Sequence, residues 1–142
     1  MTKFKALGTF TAILLSVGVA YGGRQFRAEV VVEVRADLNE IRANGNVADA
    51  FNSDDSTQLI GCGGSQTTGF CQASNASANP DTGEGSALCF TTDPALIAQI
   101  RSMASDSFVA FAADLTTGEC TRISVSHNSF YRPKNPLRNQ GQ

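Results

Sequence analysis

Two periodicities compete in the first part of this chain. In the stretch from Ala28 to Ala43, AEVVVEVRADLNEIRA, Val30, Val32 and Val34 recur every second residue, whereas Val34, Leu38 and Ile41 fall on one helical face. This predicts a strand through about Val34, then a short helix ending near Asn44-Gly45-Asn46. Residues 44–56, with Asn52-Ser53-Asp54-Asp55-Ser56, read as a surface loop.

From Thr57 onward the pattern is that of β-structure. TQLIGC (57–62) is a strand, the glycine-rich run Gly63–Gly69 a turn, and Phe70–Ala73 the start of the return strand. SNASANPDTGEG (74–85) contains no apolar side chain beyond alanine and proline and reads as a mobile loop. SALCFT (86–91) is the next strand. Asp93-Pro94 then supplies an N-cap followed by proline in the first helical position. Leu96, Ile97, Ile100 and Met103 lie in one stripe behind it. Ser107–Ala113 is apolar on both faces, as a central strand should be. A turn at 114–119 leads to a last strand alternating from Cys120 to His127. The expected fold class is α+β, mainly antiparallel β. Strands beginning at 57, 70, 86, 107 and 119, with one helix between the third and fourth, give a five-stranded OB-like barrel or an open sheet. Phe51, Phe70, Phe90, Phe108 and Phe111 are the expected large core fillers.

The N-terminus changes the compartment. Lys3 and Lys5 precede an uncharged run from Ala6 to Ala20, and Gly18-Val19-Ala20-Tyr21-Gly22-Gly23 follows with small residues. That order predicts a signal peptide over 1–22, cleaved after Ala20 or Gly22. At about 15 residues the apolar run is shorter than the roughly 20 a spanning helix needs. The mature chain of about 120 residues is the size of one domain. Its expected parts are an N-terminal strand, short helix and loop (23–55), a disulfide-bonded β domain (56–134) and a disordered tail (135–142). Without Lys3 and Lys5 there are 9 basic and 13 acidic residues, a net charge of −4, which argues against nucleic acid as a partner. Contact with the membrane is expected only through the cleaved signal.

Four cysteines, Cys62, Cys71, Cys89 and Cys120, lie behind the signal and read as two disulfides. Three connectivities are open. The pairing 62–71 with 89–120 is favoured, because a hairpin centred between Gln66 and Thr67 sets Cys62 opposite Cys71, with Cα atoms ~4.5–5.5 Å apart. The spacings do not form the C-x2–4-C clusters of a zinc site, and the chain has a single histidine. Calcium would need a denser ladder of oxygens than Asp81–Glu84 or Asp114 with Glu119 provides. No metal or cofactor is expected.

Nor does a catalytic motif emerge. His127 has Ser126 and Ser129 nearby but no nucleophile elbow, and Gly61–Ser65 lacks the lysine of a phosphate loop. The candidate partner-binding residues are Phe130, Tyr131, Arg132 and Lys134, aromatic and basic side chains with no acid after Glu119.

Ser56-Thr57-Gln58-Leu59-Ile60-Gly61-Cys62, Asp106-Ser107-Phe108-Val109-x-Phe111, Asp114, Gly118-x-Cys120-Thr121 and Ser129-x-Tyr131-x-Pro133-Lys134 together resemble a group of small exported four-cysteine bacterial proteins. The resemblance covers residues 56–134. It implies the domain boundary and an extracytoplasmic compartment, periplasm or medium, but no activity. The expectation is therefore a non-enzymatic binding module for a protein or envelope component, including an inhibitor acting through loop 74–85. The alternative is a self-associating structural component that pairs through an exposed edge strand or segment 24–43. The least favoured is a small hydrolase using Asp114, Glu119 and His127.

Overall fold

The computed structural model describes residues 28–128, apart from Pro80 and Thr82. The expected signal segment 1–22, the expected tail 135–142 and the candidate residues Phe130, Tyr131, Arg132 and Lys134 lie outside them. Seven strands form two antiparallel sheets. One sheet contains β1 (Val31–Arg35), β2 (Glu40–Asn46), β6 (Phe108–Asp114) and β7 (Cys120–Ser126), in the order β1-β2-β6-β7. The other is a meander of β3 (Leu59–Gly64), β4 (Gly69–Ser74) and β5 (Ser86–Thr91). Helix α1 (Val47–Phe51) packs on β2 and β3, and α2 (Pro94–Arg101) on β7, β3 and β4.

The mainly antiparallel α+β class is as expected, but the five-stranded barrel is not what forms. Neither sheet closes, and segment 28–46 contributes two strands to the first. The helix expected after Val34 shrinks to a 3-10 turn at Ala36–Leu38, ended by Asn39 in the left-handed region (φ 50). The chain reverses there, and β2 pairs with β1 in unbroken register from Arg35↔Glu40 to Val31↔Asn44. The period is two after all: Ile41, Ala43 and Gly45 share the inner face, and Glu40, Arg42 and Asn44 the outer. Helix α1 in turn occupies part of the expected loop 44–56, started by Asn46, whose side chain accepts the Asp49 N–H.

Elsewhere local chemistry produces the expected elements. The side chain of Asp93 caps α2 by accepting the Ala95 N–H at 2.7 Å, and Ile97 and Ile100 are buried from its apolar stripe. Strand β6 is interior to its sheet, with Val109, Phe111, Ala112 and Ala113 all buried.

The inner faces of the two sheets supply a single core. Phe111, Val109, Ala43 and Ile123 from one meet Ile60, Cys71, Ala73, Ala87 and Cys89 from the other. Two disulfides reinforce it. Cys62–Cys71 joins directly opposed residues of β3 and β4, and Cys89–Cys120 joins β5 to β7 across the two layers. Beside the second, Phe90 N–H donates to the Gly118 carbonyl. Both disulfides are those favoured from the sequence, and they belong to a protein that matures under oxidising conditions.

The phenylalanines depart most from expectation. Only Phe111 is fully buried and Phe108 half-buried, whereas Phe51, Phe70 and Phe90 are exposed. Strand alternation explains two of them. Cys71 and Cys89 point inward, so their neighbours Phe70 and Phe90 must point out.

Candidate binding face

Register within the three-stranded sheet fixes the composition of its outer face. Leu59, Ser74 and Ser86 form one row across β3, β4 and β5, Gly61, Gln72 and Leu88 the next, and Gly63, Phe70 and Phe90 the third. Leu59, Phe70, Leu88 and Phe90 are exposed there, Phe90 to 58 %. None of the nine positions carries a charge.

The outer face of the four-stranded sheet is its opposite in chemistry. Arg42 Nε lies 2.7 Å from Glu40 Oε1, with Arg122 at 3.8 Å from the same oxygen and Arg35 bridging Glu33 and Asp37. The hydrogen bond from Arg42 holds the Glu40 carboxyl below the usual glutamate range and raises the guanidinium in return. The molecule thus presents one charged sheet face and one neutral one.

Within the neutral face, the two glycines of β3 differ. A Cβ on Gly63 would sit 3.2 Å from the Phe70 ring, so the aromatic side chain already lies over that position. A Cβ on Gly61 would meet nothing within 4 Å. Its φ is not in the left-handed region, and the β3–β4 register runs through it without a bulge. Glycine in a strand costs roughly 0.5–1 kcal/mol relative to alanine, and here the fold gains nothing in return. Such a position marks either a bulge or a close approach from outside, and there is no bulge. A groove of about 320 Å3 opens beside it, lined by Leu59, Gln72, Ser74, Ser86 and Leu88, with loop residue Gly83 at its wall. Gln72 is exposed, and its amide makes no hydrogen bond within the described residues. Ser74 Oγ and Ser86 Oγ lie 3.2 Å apart, each retaining capacity for a further bond.

The groups considered for catalysis do not converge. Asp114 ends β6, beside the turn that starts β7, while His127 follows β7 at the other end of the same hairpin, roughly 20 Å away for strands of this length. The Asp114 carboxylate accepts the N–H groups of Thr117 and Thr116, which hold it below the usual aspartate range, and bonds the Asn39 amide. It is a turn former. The Nδ1 atom of His127 sits 3.1 Å from Ser107 Oγ, but that serine is completely buried and its oxygen accepts the Ala104 N–H. Among the described residues, no group of three His, Cys, Asp or Glu side chains is placed to hold a metal ion, and no helix is long and apolar enough to cross a membrane.

No family model, curated protein or solved structure matches the chain. The face therefore stands on its own geometry. Sequence reasoning placed the candidate surface at Phe130–Lys134 and passed over this one, although a signal was present. Once Cys62, Cys71 and Cys89 are assigned inward, period two puts Gly61, Phe70, Leu88 and Phe90 outward together.

Proposed function

We propose that this chain is an exported, non-enzymatic binding module that holds an uncharged ligand on the outer face of its three-stranded sheet. The observation carrying this reading is Gly61, a strand glycine that serves neither packing nor turn geometry and leaves a gap beside an exposed amide and two exposed phenylalanines. The absence of charge on all nine positions supports an uncharged ligand. The two disulfides and the leader-like segment 1–22 support a location outside the cytoplasm.

Photo-crosslinking in cells producing the full chain tests this. A photoreactive residue at Ser74, on the neutral face, yields adducts that decline when Gly61→Thr is added. The same residue at Ser124, on the charged face, yields none. Equal adducts from both faces, or none from Ser74, would remove the reading.

Self-association has one observation in its favour. Strand β1 is paired on one side only, and Val34 on it is 59 % exposed. Antiparallel pairing of two copies centred on Glu33 would oppose two carboxylates. Centred on Val34, it sets Glu33 of one copy against Arg35 of the other. Val47 N–H bonds the Ser107 carbonyl, so the odd residues of β2 bond β6 and its even residues bond β1. That alternation leaves the Val34 N–H directed away from β2. Val34→Pro then removes an edge donor without breaking the ladder. Sedimentation velocity should show concentration-dependent dimers for the native chain and a folded monomer for Val34→Pro. A native chain that stays monomeric refutes the self-association reading.

A further inference from the structure

We infer that the uncharged ligand of this face is a saccharide, a short neutral sugar chain lying across β3, β4 and β5. The inference rests on the binding-face reading above and names its ligand.

Size excludes a second copy as the occupant of this surface alone. Three strands at ~4.8 Å spacing and five residues at ~3.3 Å give about 250 Å2, roughly a third of the ~800 Å2 per partner in a standard protein interface. The groove of about 320 Å3 is shallow and open, which suits a small ligand lying along the surface. An extended peptide fits poorly for a different reason. Backbone donors and acceptors of a sheet lie in its plane, so a peptide finds them at an edge and not on a face. Recognition here is left to side chains alone.

Those side chains have a particular composition. Phe70 and Phe90 are directly opposed on neighbouring strands and both exposed, so one row of the face offers two aromatic rings, that of Phe70 lying over Gly63. A pyranose presents weakly positive C–H groups on its faces, which match the negative face of an aromatic ring. Its rim carries hydroxyls, each a donor and an acceptor. Gln72, in the row next to the aromatic pair, lines the groove with an amide that offers both functions. Ser74 and Ser86 extend the hydrogen-bonding row at the groove end, beside Leu59. A purely apolar ligand such as an acyl chain would leave the Gln72 amide buried and unpaired. An anionic chain would find no counter-charge on the nine positions and would meet the carboxylate of Glu119, which is exposed and bridged to Phe90 at the edge of the face. Gly61 completes the fit by letting a sugar ring approach the backbone next to Gln72.

The test is binding of the oxidised full chain to cellotetraose, maltotetraose and tetra-N-acetylchitotetraose, with polygalacturonate as the anionic control, followed by calorimetry. We expect one of the neutral chains to bind and the polyanion not to. Phe90→Ala should weaken that binding about tenfold, the scale of one stacking contact. Gly61→Thr should do the same or more while its unfolding midpoint stays level or rises, because threonine is the better strand residue. Preference for the polyanion, no binding to any neutral chain, or full binding by Gly61→Thr would each overturn the inference. If these assays fail while face-specific crosslinks from Ser74 persist, the saccharide falls and the binding face stands. If both fail, both fall.

Discussion

Asn46 closes β2 and opens α1 with one side chain. It is fully buried; its Oδ1 accepts the Asp49 N–H at 3.0 Å, and its Nδ2 donates to the Asp106 carbonyl at 3.3 Å. Asn46→Ala removes the cap and the hydrogen bond to the Asp106 carbonyl. It should lower stability by about 2 kcal/mol, at the upper end for a cap, measurable as a reduced urea midpoint with unchanged slope. Carboxylates at turns act in the same local way. Asp114 is held below its ordinary value of 3.8 by the N–H groups of Thr117 and Thr116, and Asp55 by the hydroxyl and then the N–H of Thr57. A depressed folded-state pKa gives stability that is fully present above the unfolded value and lost as pH falls through the folded one. The native chain should therefore hold its midpoint down to about pH 5 and lose it below 3.8. Asp114→Ala should flatten that acid limb in a series of urea titrations. An acid limb unchanged by Asp114→Ala would show that the turn bonds carry no linkage.

Cooperation of such residues within an element decides how much can be read from sequence. The β3–β4 hairpin was legible because one centre of symmetry places Cys62 against Cys71, and the observed register keeps it. Helix α2 was legible because Asp93-Pro94 is a local signal that needs no tertiary context. Strand β2 was not. Val34, Leu38 and Ile41 fit a helical stripe by coincidence of spacing, and the one local mark of the hairpin, an asparagine at 39 that tolerates the left-handed region, is weak beside that stripe. The uncharged outer face of the smaller sheet was hidden for a related reason. Phenylalanine is read as a core residue on average, whereas the side of a strand it occupies depends on its neighbours, here the inward cysteines.

At the scale of the whole molecule the core is thin. Of its buried side chains Ala43, Ala48, Ala50, Ala73, Ala87, Ala112 and Ala113 are alanines, and Phe111 is the one fully buried aromatic among the described residues. A domain of this size with so little apolar volume leans on covalent links. The two links are not equivalent. Cys62–Cys71 closes a loop with a sequence separation of 9 inside one hairpin whose ladder already fixes it. Cys89–Cys120 has a separation of 31 and spans the two sheets, joined beside it by the Phe90–Gly118 hydrogen bond. Loop-closure entropy puts the first near 3 kcal/mol and the second near 4 kcal/mol. Paired Cys→Ala substitutions should reproduce that order in unfolding midpoints, with the 89–120 pair the more damaging. Hydrogen exchange separates the causes further. Loss of Cys62–Cys71 should loosen only the β3–β4 turn, whereas loss of Cys89–Cys120 should raise exchange across β3, β4 and β5 together as the smaller sheet opens from the larger. If both variants instead exchange alike, the sheets are held by the alanine-lined core, and the cross-layer disulfide is redundant with it.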